Sequence, residues 1–373
     1  MSTKRNRSMD IAKAIGIILV VLGHSNSPVT KIIYLFHMAL FFFISGYFYK
    51  DNYTKEPIKF IKKKILGLYV PFVSFSVIFI LFHNLFIYLQ FYNSIFAGAS
   101  REYEVLNKSF NILDTIKNII KVLFLGQTDR LLGGALWFLV ALLIASIFFN
   151  IISYLILKLN IKHEILRGGV VLLCFIIAYL STHLKFNFHG LNTAIIAMGI
   201  FYLGYLYHNY SIKLKIKLKL SYSIGAFILL IILSNFGSIN MASNHYTNII
   251  YFIGNSILGI YLTLYLSNLI ANKFNKIYLL DYIGKNTIYI LGLHFLSFKL
   301  IDIIKISIYQ YPSYMIGKFP VIDGSNGWYI IYTISGVILP LGVKFVYDKL
   351  KRLYHTFKYS RFCRGKCIPK NNF

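Results

Sequence analysis

Lys13, His24 and His37 are the residues whose types and positions could do chemistry in this chain. All three fall in apolar stretches of membrane-crossing length, MDIAKAIGIILVVLGHS and FHMALFFFISGYFYK, which turn on each other at Pro28. An ionisable group in hydrocarbon costs about 2.5 kcal/mol or more, so it faces a bundle interior or a path. Imidazole is the side chain best suited to take and return a proton near neutral pH. A histidine of that kind beside a hydroxyl acceptor is what acyl transfer to an alcohol requires.

The spacing says which element must hold them. At 100° per residue, the step from Lys13 to His24 is three helical turns plus about 20°, so both project from one face about 16 Å apart along the axis. Ile17 and Val20 fill the stripe between them, and Ala12, Gly16 and Gly23 form a small-residue face that lets another helix approach closely. His37 lies about as far from the turn at Pro28 as His24 does, so the two imidazoles are expected at one depth. Plainer roles stay open: Lys13 as a lysine snorkelling to the headgroups, and each histidine as an interhelical hydrogen bonder.

Three further groups carry polar chemistry. Lys59, Lys62, Lys63 and Lys64 precede the third apolar run. They read as a topology signal, or as ammonium groups holding a phosphorylated donor such as coenzyme A. In QTDRLLGGALWFLV, Asp129, Arg130 and Trp137 read as a solvated ion pair with an interfacial anchor, or as a docking site for a polar substrate. In DYIGKNTIYILGLHF, His294 lies in a late apolar run, with Lys299 and Asp302 following at i, i+3 spacing. Alone, that group reads as bundle glue.

Composition fixes the class. The 373 residues are 57% hydrophobic, 17% aromatic and only 14% charged, with a mean hydropathy of +0.64. The apolar residues come in long runs, which excludes a soluble multidomain enzyme and predicts an all-α polytopic membrane bundle. About ten spans are expected, near 10–27, 32–49, 66–90, 134–157, 168–183, 191–208, 220–236, 248–269, 286–306 and 328–347. They make one membrane domain over 1–350, followed by a basic tail over 351–373.

The net charge of +27 sits in short clusters between the runs, which fits membrane topology and no nucleic-acid partner. With both ends in the cytoplasm, lysines and arginines favour the inner loops by roughly three to one, as the positive-inside rule requires. The start KRNRSMDIAKAIGIILVVLGHS has the look of a signal peptide, but no small-x-small cleavage site follows, so it is expected to be an uncleaved first helix. Three cysteines give neither a disulfide framework nor zinc spacing, and no metal is expected. In the long outer segment before Gly133, ILDTIKNIIKVLFLG has apolar residues at helical spacing and is expected to lie along the membrane or re-enter it.

The runs MDIAKAIGIILVVLGHS, FHMALFFFISGYFY, FIKKKILGLYVPF, ALWFLVALL and IGKNTIYILGLHF together resemble the acyltransferase-3 family, and within it the fucose-4-O-acetylase-related branch. The similarity runs from the first span to the ninth. It implies an integral O-acyltransferase of the inner cell membrane, moving acetyl groups from cytoplasmic acetyl-CoA to a glycan or lipid-linked saccharide outside. Carried over by position, His24 is the catalytic histidine, which His37 is expected from its depth to support, and Lys13 is the donor-side basic residue. Lys62, Lys63 and Lys64 join it, Lys64 matching the first basic residue of a family motif, while Gly67 stands where many members keep a second. The acceptor side is assigned to Asp129, Arg130, Trp137 and His294. The rival is a transporter or flippase for a lipid-linked glycan, and the absence of a visible internal repeat speaks against it.

Overall fold

The computed structural model describes residues 6–93, 95, 106–159, 163–184 and 190–364, the stretch 355–364 as backbone alone. The chain folds as helices α1 (Arg7–His24), α2 (Thr30–Tyr34), α3 (His37–Tyr47), α4 (Asp51–Lys55), α5 (Pro57–Lys64), α6 (Val70–Leu81), α7 (His83–Tyr88) and α8 (Ile112–Leu123). They continue with α9 (Trp137–Lys158), α10 (His163–His183), α11 (Leu191–Tyr210), α12 (Leu220–Leu233), α13 (Ile249–Lys273), α14 (Tyr278–Lys285), α15 (Thr287–Tyr309) and α16 (Trp328–Arg364). Among the described residues, strand appears as one two-residue hairpin, Ile239–Asn240 against His245–Tyr246.

Seven segments are long and apolar enough to cross a membrane among the described residues. They are Thr30–Tyr47, Pro57–Leu81, Gly134–Lys158, His163–His183, Ile249–Lys273, Thr287–Tyr309 and Trp328–Tyr354. Helices α1, α11 and α12 occupy the other three expected places. The first carries Arg7, Asp10 and Lys13, the second is diluted by tyrosines, and the third is short at 14 residues. The protein is therefore an all-α polytopic membrane bundle.

The third and last spans depart furthest from the expected bounds, the third ending at Leu81 with α7 following as a separate helix. The third span begins at Pro57, because proline at a first helical position is already set for the helix and lacks only an N–H that would be unpaired there. It then runs through a π turn, Ile65–Tyr69, into α6, so the lysine run lies on a helix and not in a loop. The last helix continues unbroken past position 350 to Arg364.

Helix α1 is the axis of the bundle. Asn6 caps its start by accepting from the Met9 N–H, and α2, α3, α13, α14, α15 and α16 all touch it. The small-residue face works as expected. A Cβ at Gly16 would meet Leu40 and Phe41 of α3 at 3.0 Å, and one at Gly23 would meet Ile33 of α2 at 3.2 Å. A closer contact holds α3 against α11, where a Cβ at Gly46 would lie 1.8 Å from the Phe201 carbonyl oxygen and one at Gly204 would lie 1.9 Å from that of Phe43. Only glycine permits two helix backbones to approach so closely.

The expected surface helix is α8, started by a capping box between Asn111 and Asp114. It leaves Ile112, Leu113, Ile116, Ile120 and Leu123 exposed on one side, as a helix bedded in a bilayer interface would.

The loop between α15 and α16 is pinned by the Lys299–Asp302 pair, fully buried at 3.0 Å. The Lys299 ammonium also donates to the Ile316 carbonyl at 2.8 Å, and Asp302 accepts from the Tyr332 hydroxyl at 2.6 Å and the Ile322 N–H at 3.2 Å. These bonds satisfy both charges, which burial demands. They fold the loop back over the bundle end, with Gly324 pressed onto the Ser25 and Asn26 carbonyls.

Candidate active site

His24 is the last residue of α1. The helix stops there because the Ser25 hydroxyl donates to the Leu22 carbonyl at 2.8 Å and Asn26 takes a left-handed conformation (φ 57°). The half-buried imidazole joins the Tyr34 hydroxyl through Nδ1 at 3.0 Å. Its Nε2 makes no hydrogen bond among the described residues. Tyr34 reaches it from α2 and lies 5.0 Å, ring to ring, from His37 at the start of α3. His37 Nδ1 lies 2.8 Å from the Ile33 carbonyl, which can only accept, so Nδ1 carries the proton and Nε2 the lone pair.

His294 comes to the same place from the far end of the sequence. Its ring stacks on His24 at 5.4 Å and 25°, and Phe295 packs on His24 at 4.8 Å. His294 Nδ1 lies 3.0 Å from the Ile290 and Leu291 carbonyls, so it too is protonated at Nδ1. Its Nε2 is buried with no partner, an arrangement that costs about 1–3 kcal/mol unless something compensates it. Three imidazoles and one phenol, carried on α1, α2, α3 and α15, thus converge at one end of the bundle.

His24, Tyr34 and His37 line a cavity of about 270 Å3 with Trp137, Arg130 and Phe295. The Ile239–Tyr246 hairpin and Phe319 from the pinned loop close its rim. Arg130, Gly134, Trp137 and Ala242 are shared with a larger vestibule of about 610 Å3, whose walls carry Lys121, Gln127, Thr193 and Ser243. A second cavity of about 130 Å3 lies along α1 towards Lys13, lined by Lys13, Ile17, Val20, Ser45, Phe138 and Met38 among others. Met38 lines both chambers. Lys13 and His24 therefore open onto two separate chambers that share one lining residue, Met38. The Lys13 ammonium is held by Asp10 at 3.3 Å and sits 4.6 Å from the Phe48 ring centre.

The other assigned residues divide. Trp137 and Arg130 stand where chamber and vestibule join, and His294 stacks directly behind His24 and is not on the cavity wall. Asp129 turns away from both: its buried carboxylate accepts from the Tyr92 hydroxyl at 2.6 Å and the Leu131 N–H at 2.8 Å, fixing the turn that presents Arg130. Burial raises its pKa, and those hydrogen bonds oppose the rise.

The lysines of the run stand in different surroundings. Lys62 edges a shallow surface depression, Lys63 donates to the Tyr53 hydroxyl at 2.6 Å, and Lys64 lies between the Phe60 and Phe201 rings. Among the described residues, no three His, Cys, Asp or Glu side chains converge as metal ligands would.

Sequence reasoning missed Tyr34, Met38 and Phe295. The signal for Met38 and Phe295 was adjacency to His37 and His294; for Tyr34 there was only its place in the turn between the two histidines.

The fold and chamber define a polytopic membrane protein built around a histidine cluster. A family model for an acyltransferase domain matches residues 6–349, nearly the whole chain, and the protein belongs to that family, acyltransferase-3. It is thus a membrane acyltransferase. Neither the curated proteins nor the solved structures gave a match.

Proposed function

We propose that the protein moves an acetyl group from acetyl-CoA to a hydroxyl of a cell-surface or exported glycan, as the fucose-4-O-acetylase-related branch would. The observation that carries this reading is the pair of chambers with Met38 in the wall between them, one lined by the Lys13 cation and one by an imidazole with an unengaged nitrogen. The lysine and arginine bias of the loops supports a cytoplasmic Lys13 end, facing the donor, and an outer vestibule, facing the glycan.

Lys13 offers its ammonium to the donor, and the thioester arm reaches past Met38 towards His24. The acceptor enters from the vestibule between Arg130 and Trp137. His24 Nε2 takes the hydroxyl proton as the oxygen attacks the thioester carbonyl; the carbon–sulfur bond then breaks, and the imidazolium returns the proton to the departing thiolate. The products are an O-acetyl ester and free coenzyme A.

For Nε2 to act as base, Nδ1 must hold the ring proton. The Tyr34 hydroxyl, 3.0 Å from Nδ1, can accept from Nδ1–H in that tautomer and so stand behind the ring as the third residue does behind other histidine bases. His37 supports Tyr34 through ring contact, and the buried His294 ring holds the His24 plane from behind.

His24→Ala tests the reading. Surface polysaccharide from cells carrying the variant should lack the O-acetyl signal in NMR while the protein is present at normal level; a persisting signal would overturn it. A flippase would neither bind nor consume the thioester, so labelled acetyl-CoA with purified protein separates the two readings.

A further inference from the structure

Away from the histidine chamber, an apolar groove of about 460 Å3 lies between α3, α11 and α13, lined by Phe43, Leu206, Tyr207, Ile257, Ile260 and Tyr261. Its rim is the connection SIKLKIKLK after α11, in which Lys213, Lys215, Lys217 and Lys219 alternate with apolar residues. All four lysines are exposed, while Leu214 and Ile216 from the same stretch turn onto the groove.

Two contacts fix the cations at this rim. The Tyr261 hydroxyl donates to the Lys217 carbonyl at 3.0 Å and accepts from the Lys219 N–H at 2.8 Å. The Lys213 ammonium lies 5.6 Å from the ring centre of Tyr210, itself a groove residue. No Asp or Glu occurs between Glu164 and Asp281, so the rim segment carries no acidic residue of its own; Glu164 and Asp51 act on Tyr210, at the Lys213 end.

We infer that this groove and its lysine rim form a binding site for an anionic phospholipid, one acyl chain in the groove and the phosphate against the lysines. The occupant must be apolar over most of its length and negative at one end. A second copy of the chain would bring its own excess of lysine to the same rim, and a nucleic acid has nothing to place in the groove. Lysines at a membrane surface strengthen anionic-lipid binding additively, so four of them give a preference well above tenfold.

The test uses purified full-length protein in detergent, with phosphatidylglycerol or phosphatidylcholine added and retention read by native mass spectrometry. Wild type should retain phosphatidylglycerol at least about tenfold better than phosphatidylcholine. Replacing all four lysines by glutamine should abolish that preference, and replacing them by arginine should keep it. Because lost lysines can also disturb insertion, Ile257→Trp provides a second arm. It fills the groove from a half-exposed position with every lysine in place, and should release the lipid. Equal retention of the two lipids, unchanged retention in Ile257→Trp, or equal thermal stabilisation by inorganic phosphate alone would overturn the site. None of these readouts depends on acyl transfer, so the site and the proposed activity stand or fall separately.

Discussion

Tyr34→Phe removes one oxygen from the site and leaves every ring contact in place. The lost bond is the 3.0 Å contact with His24 Nδ1; the ring stays against His37. In the resting enzyme this is a bond between neutral groups, worth about 0.5–1.5 kcal/mol, and it rises to about 1.5–3 kcal/mol once His24 becomes imidazolium in the transition state. The difference of about 1–1.5 kcal/mol corresponds to roughly a tenfold loss in rate. Since the gain arises only as charge develops, kcat should fall roughly tenfold while KM for donor and acceptor hardly moves. The assay is transfer of label from acetyl-CoA by purified enzyme at saturating donor, with thermal unfolding measured in parallel. A kcat within twofold of wild type, with an unchanged melting temperature, would refute the role of Tyr34 as the acceptor behind His24 Nδ1–H.

Other perturbations reach other parts of the account. Met38→Trp enlarges the side chain in the wall that the two chambers share and should lower transfer at least about tenfold, while donor binding at the Lys13 end, read by calorimetry with a non-hydrolysable coenzyme A thioether, persists. Lys299→Met leaves Asp302 buried without its cation and should cost about 3–5 kcal/mol in detergent unfolding; the double variant Lys299→Met/Asp302→Asn should recover most of it. Gly204→Ala places a methyl group onto the Phe43 carbonyl and should lower the melting temperature sharply, whereas Gly225→Ala, which meets nothing within 4 Å, should leave it unchanged.

How much of this was written in the sequence depends on how local each feature is. The Lys13–His24 stripe is a property of one helix, so 3.6-residue periodicity was enough to find it; Ile17 and Val20 line the Lys13 chamber, while His24 lines a separate one. Spans were legible because a bilayer permits only long apolar helices here. Edges were less so: Pro57 starts the third helix before the lysine run, so those lysines lie on a helix.

Asp129 and Arg130 look like an ion pair when written side by side. In an irregular turn, neighbours can face opposite ways, and Asp129 goes to Tyr92, a residue distant in the chain. His294 was the least legible. Nothing near it in sequence says that α15 packs its ring on His24, which is decided by the tertiary contact of two helices far apart in the chain.

The central claim is that donor and acceptor meet at His24 across the bundle. The direct measurement places purified protein in liposomes with labelled acetyl-CoA on the Lys13 side alone and the glycan on the other, comparing wild type with His24→Ala. Wild type should deliver label to the glycan across the membrane and the variant none; transfer by His24→Ala at the wild-type rate would contradict the account.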